Sequence, residues 1–166
     1  MIKKQEVKNL KSKLEKIVVN SGVGRMSALP NFEEKILPDL VKEISTITGQ
    51  KPSSRGAKKS IAGFKLRQGN IVGLMVTLRG KRMMAFLDRL NSIVLPRLRD
   101  FRGLNLKGID QNGNLSIGLK EQLVFPEITP EHSKVNFGMQ ITVVPKDKSR
   151  EKAIELYREL GIPLQK

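Results

Sequence analysis

The sequence contains no cysteine, no tryptophan and one histidine in 166 residues, and only 4% of it is aromatic. Without thiols there can be no disulfide scaffold, iron–sulfur cluster, Cys-containing zinc site or thiol nucleophile. With His132 alone, neither a two-histidine metal site nor a histidine relay can be built within one chain, although carboxylate sites survive this argument. Apolar runs are short: Ile71 to Leu78 falls well below the roughly 20 residues of a spanning helix, so no membrane is expected. The N-terminus, Met1-Ile2-Lys3-Lys4-Gln5-Glu6, has no apolar region after its basic residues and does not read as a secretory signal, so a cytoplasmic location is expected. Acids are also scarce, with 16 Asp+Glu against 31 Lys+Arg and a net charge of +15. A compact chain with that excess repels itself until a polyanion neutralises it, which makes nucleic acid the first partner to consider.

What is present is enough for one domain. The length suits a single core, taken as 1–166, and the 39% of apolar residues fall into periodic segments rather than a disordered basic tail. The β-branched run Glu15 to Asn20, stopping at Ser21-Gly22-Val23-Gly24, reads as a strand. From Phe32 the apolar residues Ile36, Leu40, Ile44 and Ile47 recur at helical spacing, with Asn31 as a candidate N-cap and Gly49 as the stop. Pro38 conflicts with that helix and calls for a kink or a later start. Leu74, Val76 and Leu78 alternate with Met75, Thr77 and Arg79 in a half-exposed strand. Met83, Met84, Phe86, Leu87, Leu90, Ile93 and Val94 then mark a helical apolar face that Pro96 ends, the methionines serving as core filler. Asn112-Gly113 between Ile109 and Leu115 is a two-residue hairpin signal joining two strands, since both central positions of such a turn need positive φ. Met139, Ile141 and Val143 form a last strand, and a helix from near Ser149 ends at Gly161. The pattern gives an α+β class: an antiparallel β-sheet with helices packed on one face, and a long basic loop.

That loop, Lys51 to Asn70, carries Lys51, Arg55, Lys58, Lys59, Lys65 and Arg67, no acid, and glycines at 56, 63 and 69. Its composition points to a phosphate-binding arm that is mobile when free, orders on its partner and gives little base specificity. Arg97, Arg99 and Arg102 form a second basic cluster past Pro96, for which a solvated edge and an RNA contact weigh about equally. Enzyme motifs fall short. Gly22-Val23-Gly24 lacks the third glycine of a dinucleotide loop, and Glu43, at the distance of a ribose acid, falls on the helix. Gly103 and Gly108 have P-loop spacing, but Ile109-Asp110 stands where Lys-Ser/Thr is needed. Glu121, Glu127, Glu131 and His132 read as surface groups beside strands rather than an acid/base pair. Phe64 is the one aromatic of the basic loop, so base stacking on an aromatic platform is not expected. No catalytic set, cofactor or metal is implied. The competing classes are an RNA-modifying enzyme, which would need a convergent catalytic set, and a DNA-binding protein, whose basic residues belong on a groove-entering helix.

The segments KIVVNSGVG, ITGQKPSSRGAKKSIAGFKLRQGN, VTLRG, RLRDFRGL and EQLVFPEI occur in one order from about Lys16 onward. Together they resemble the bacterial large-subunit ribosomal protein L five family, the 5S-rRNA-binding proteins. The resemblance implies a cytoplasmic, ribosomal, non-enzymatic protein, monomeric when free, that binds 5S rRNA on the exposed face of its sheet and attaches it to the central protuberance. It also implies contacts with large-subunit rRNA, other central-protuberance proteins, peptidyl-site tRNA and a small-subunit head protein.

Carried over to this sequence, the 5S-rRNA contacts fall on Asn20, Gln50 and Thr77, with Gly22 and Gly24 admitting close approach and Lys51 and Arg79 adding phosphate contacts. The tRNA-facing set is Arg55, Lys58, Lys59, Lys65 and Arg67. The intersubunit contact falls on Pro96, Arg97 and Leu98 and on Glu121, Glu127 and Glu131. Against the family pattern, the N-terminal segment 1–15 is short, and the Gly24–Gln50 connection is long with Arg25 where an acid is common.

Overall fold

The computed structural model describes residues 13–64, 66–131 and 133–165, so Lys65, His132 and nearly all of the short N-terminal segment lie outside the described residues. Five strands, β1 (Leu14–Gly22), β2 (Ser53–Gly56), β3 (Ile71–Leu78), β4 (Leu115–Leu119) and β5 (Met139–Pro145), form one antiparallel sheet in the order β2-β3-β1-β5-β4. Three α-helices accompany them: α1 (Leu37–Thr48), α2 (Gly80–Arg89) and α3 (Arg150–Glu159). The α+β class is therefore the observed one. None of these helices is long and apolar enough to cross a membrane.

Alternation decides which side of each strand is covered. Val19 and Ser21, Leu74, Val76 and Leu78, Leu115, Ile117 and Leu119, and Met139, Ile141 and Val143 are buried, while the intervening residues stay partly or fully open. Because successive side chains leave a strand on opposite sides, each of these strands has one core side and one open side. The helices contribute their apolar stripes to burial: Leu40, Ile44 and Ile47 from α1, Met83, Phe86 and Leu87 from α2, Ala153, Leu156 and Tyr157 from α3.

The chain divides into two compact units. One comprises residues 1–18, 77–117 and 141–166, the other 19–76 and 118–140. In the first, the Tyr157 hydroxyl lies 2.7 Å from the carbonyl of Gly113 and 3.0 Å from that of Val143, so its single proton is shared between two backbone acceptors. Burial pushes the phenol well above its usual range. In the second, fully buried Gln122 donates to Ser133 Oγ and to the Val135 carbonyl, both at 2.8 Å, and accepts from the Phe137 N–H at 3.0 Å. One side chain thereby ties Ser133, Val135 and Phe137 to the 3-10 turn at Gln122.

Four expectations need correction. Asn31, read as a candidate N-cap, stands at φ 59 without a side-chain cap; after it a wide π turn covers Phe32–Ile36, and the α-helix has the later start that Pro38 called for, at Leu37 with Pro38 in its first turn. Pro96 is approached in the same way: α2 stops at Arg89, a π turn covers Leu90–Val94, and Pro96 sits in a 3-10 turn. In both places the leucine before proline donates its N–H to the carbonyl five residues back. A wide turn moves aside the carbonyl that a proline ring otherwise meets four residues earlier. Ile93, expected in the core, lies in the second of these turns and is 39% exposed. At Asn112-Gly113 only Gly113 has positive φ (79), and the Asp110 N–H reaches the Asn114 carbonyl at 3.0 Å. The connection is thus a three-residue turn closed by Gly113, and Ile109 forms a single bridge to Leu115 where a second strand was expected. Lastly, the basic loop is not structureless, because β2 lies inside it and pairs antiparallel with β3, Ser53 opposite Met75 and Ser54 opposite Leu74.

Candidate nucleic-acid interface

In the second unit, Asn20 is exposed on the open side of β1, with Gly22 exposed two residues on. A Cβ at Gly22 would meet nothing within 4 Å, and one at Gly24 only ordinary contact with Val72, so packing within the protein does not explain either glycine. Gln50 follows Gly49, which closes α1 in the left-handed region at φ 68. The Thr48 hydroxyl, 2.7 Å from the Ile44 carbonyl and 2.9 Å from that of Gln50, fixes this corner and leaves Gln50 half-buried. Lys51 is exposed beside buried Pro52.

In the first unit, Thr77 is half-exposed on β3, and Arg79, extended at φ −138 and ψ 164, carries the alternation on so that both leave the strand on the same side. Glu15 bonds to Lys16 Nζ at 3.1 Å, and this bond, with Lys16, Arg79 and Lys148 as nearby cations, holds its carboxyl below the usual range. Ser116 on β4 is also exposed, as are Gly118 on β4 and Gln140 on β5 in the second unit. The strands thus offer amide, hydroxyl and glycine positions in each unit, Asn20, Gly22, Gly118 and Gln140 in the second and Thr77 and Ser116 in the first, with Glu15 the one carboxylate on the five strands.

The basic segment is an arm. Arg55 in β2, Lys58, Lys59 and Arg67 are all exposed, with the Arg55 guanidinium 3.9 Å from Met75 Sδ. Beyond β2, the Ala57 N–H donates to the Asn70 carbonyl at 2.8 Å and the Gly69 N–H to the Ala57 carbonyl at 3.0 Å, prolonging the pairing toward the tip. Four described cations therefore ride on a hydrogen-bonded hairpin.

The two halves of the expected intersubunit contact fall in different units. Exposed Pro96 and Arg97 and half-buried Leu98 belong to the first; exposed Glu121 and Glu131 and half-buried Glu127 belong to the second. Near Glu127, Glu43 lines a pocket of about 220 Å³, and burial raises its carboxyl above the ordinary range despite bonds from Ser133 and Gln122. The described residues contain no group of three or more His, Asp or Glu side chains able to hold a metal. Sequence reasoning missed Gln122, whose role rests on a contact 15 residues away, and the exposure of Phe64, whose signal was its isolation among cations.

Comparison with known proteins decides the family. Residues 10–67 match the family model for ribosomal protein L5, and residues 71–164 match the model for the C-terminus of the same ribosomal family. The chain belongs to the ribosomal protein L5 family. It is 49% identical over 155 residues to the large ribosomal subunit protein uL5 of Trichodesmium erythraeum (strain IMS101), covering 92% of this chain and 82% of the relative. Members of the L5 family are structural and non-enzymatic, so this chain is a constituent of the large ribosomal subunit, located in the ribosome in the cytoplasm.

Proposed function

We propose that this L5 protein binds 5S rRNA through the open side of its strands and attaches it to the central protuberance, with the arm meeting peptidyl-site tRNA. The observation that carries the reading is the set of amide, hydroxyl and glycine positions the strands leave open, Asn20, Gly22, Thr77, Ser116, Gly118 and Gln140, with the one strand carboxylate, Glu15, held by Lys16. Amide and hydroxyl groups there suit ribose 2′-hydroxyls and base edges, and the glycine that packing does not require at position 22 suits close approach of RNA. Asn20, Gln50 and Thr77 are the hydrogen-bonding set, with Gly22 and Gly24 as the close-approach positions and Lys51 and Arg79 on phosphates. Arg55, Lys58, Lys59, Lys65 and Arg67 form the tRNA-facing set, where charge without base readout fits a ligand held by its backbone. Pro96 to Leu98 and Glu121, Glu127 and Glu131 are the surfaces for the small-subunit head protein, and large-subunit rRNA and other central-protuberance proteins are the remaining neighbours.

Filter binding on the purified chain tests the central claim. The protein, monomeric in solution, binds 5S rRNA far more tightly than duplex DNA of equal length at the same salt, and log K falls steeply with log salt because several phosphates are neutralised. Equal affinity for the two nucleic acids at physiological salt overturns it.

A further inference from the structure

The tip of the arm presents an aromatic ring that the protein does not bury. Phe64 is 77% exposed, against 39–50% for Leu29, Ile61 and Ile93, the other exposed large apolar side chains among the described residues. A large ring left in water to that extent suggests a partner. Its placement is nonetheless defined. The Ile61 N–H donates to the Leu66 carbonyl at 2.9 Å, the Leu66 N–H to the Ile61 carbonyl at 3.1 Å and the Phe64 N–H to the Ile61 carbonyl at 3.2 Å. One step below, Ser60 Oγ accepts from the Gln68 N–H at 2.9 Å. The ring therefore stands at the apex of a closed turn, which lowers the ordering cost of binding to it.

Beside the ring runs a groove of about 730 Å³, walled by Ala28, Ile61, Leu66 and Val72. Arg25, Lys58 and Lys59 also line it, and no acid does. Apolar walls and a flat ring fit a planar, uncharged group, and the cations fit anions tethered close to it. An unstacked nucleobase flanked by its phosphates has both parts. An acidic peptide would match the charge but brings no flat face to the ring.

We propose that Phe64 is a stacking platform for one unpaired base of single-stranded RNA, with Arg25, Lys58 and Lys59 holding the phosphates on either side. This rests on the reading of the arm as RNA-facing, and it reverses the expectation, drawn from composition, that one aromatic is too few for base stacking. A single ring suffices where apolar groove residues and cations flank it.

The test uses the full chain and a fluorescein-labelled single-stranded RNA of about seven nucleotides, within the usual span of single-strand sites, with duplex RNA of the same length, 5S rRNA and an acidic Glu/Leu peptide as comparisons. Phe64→Ala weakens the single strand by about five- to a hundredfold, the loss of one base–aromatic stack, and Phe64→Trp restores it. Phe64→Leu stays weak, since an aliphatic side chain has no π-face. Binding of 5S rRNA is unchanged in all three variants. With 2-aminopurine in the strand, wild type and Phe64→Trp quench its fluorescence and Phe64→Ala does not. Wild-type affinity in Phe64→Leu, or equal affinity in all variants, overturns stacking while leaving the RNA-facing arm in place. A wild-type chain that binds no single strand at any salt removes the reading of the arm itself. Displacement of RNA from wild type by the acidic peptide, lost in Phe64→Ala, makes the occupant a protein and overturns the proposal.

Discussion

Gly113 offers a measurement in which local backbone conformation and packing act together. Its φ of 79 lies where an L side chain is strained, and a Cβ built there would stand 2.7 Å from Ala153 Cβ, 3.1 Å from the Ser149 carbonyl oxygen and 3.2 Å from Pro145 Cγ. The left-handed conformation costs a non-glycine residue about 1–2 kcal/mol. The overlap with Ala153, well inside the roughly 3.5–4.0 Å of favourable carbon contact, requires α3 or the turn to shift, at roughly 1–3 kcal/mol. Against this, alanine restricts the unfolded chain and returns about 0.4–1 kcal/mol. Gly113→Ala therefore destabilises by about 2–4 kcal/mol, and for a chain of this size the melting temperature falls by roughly 4–16 °C. The same shift disturbs the Tyr157 hydroxyl bond to the Gly113 carbonyl at 2.7 Å, which ties the turn to α3. Asn112→Ala is the control. Asn112 does not have positive φ here, so its replacement costs under about 0.5 kcal/mol, the ordinary effect of a surface change. Thermal and urea unfolding of the two variants decide the matter. Comparable losses at both positions refute the three-residue turn and restore the two-residue one, in which both residues need positive φ.

Thr77→Ala and Gln50→Ala each weaken 5S-rRNA binding by about 1–3 kcal/mol while unfolding stays cooperative, and native affinity in both variants counts against the sheet-side assignment. Reversing charge together at Lys58, Lys59 and Arg67 leaves 5S-rRNA affinity within roughly tenfold, because exposed charges beyond about 8 Å are screened at physiological salt. The same triple variant weakens retention of peptidyl-site tRNA on assembled ribosomes, and the opposite pattern exchanges the two roles. Glu43→Gln stabilises the protein at pH 7. The folded-state pKa of Glu43 is raised by burial above its ordinary value of 4.5, so its ionised form costs stability above the folded pKa and the cost is relieved as pH falls through that value toward 4.5. Melting temperatures followed from about pH 7 down to about pH 4 show the gap between variant and wild type closing in acid; a gap that widens contradicts the sign.

Periodicity made the frame legible because burial repeats along each element. Leu74, Val76 and Leu78 on β3, and Ile141 and Val143 on β5, are buried as the alternation of two requires. Gly49 and Gly161 close their helices as read, with φ of 68 and 74. The later start at Pro38 was legible too; what escaped was the wide turn that precedes each proline. A proline inside an apolar stripe of helical period signals conflict, but periodicity does not say whether the chain breaks, kinks or widens. The observed π turns at Phe32–Ile36 and Leu90–Val94 insert extra backbone; past the first, Leu40, Ile44 and Ile47 are buried as the spacing requires, whereas Ile93 falls within the second. Ile93 is exposed because it lies in the widened turn itself, and a helical wheel drawn straight through that turn places it inside.

The site was legible to a different depth on its two surfaces. Net charge and the absence of acids between Lys51 and Asn70 marked the basic segment without help from the fold, since charge is a property of composition. Its pairing was hidden because Ser53, Ser54, Arg55 and Gly56 have neither β-branched residues nor alternation; β2 forms as an edge strand on the ladder that β3 presents, Ser53 opposite Met75. A tertiary partner overrides weak propensity there. That pairing also changes what the arm can do. A disordered basic loop must be ordered by its ligand, losing affinity to chain entropy, whereas a hairpin closed by Ala57, Gly69 and the Ile61–Leu66 bridge carries its cations and Phe64 already placed. For the RNA-facing arm proposed above, this pairing lowers the ordering cost that one aromatic and four described cations would otherwise carry on binding.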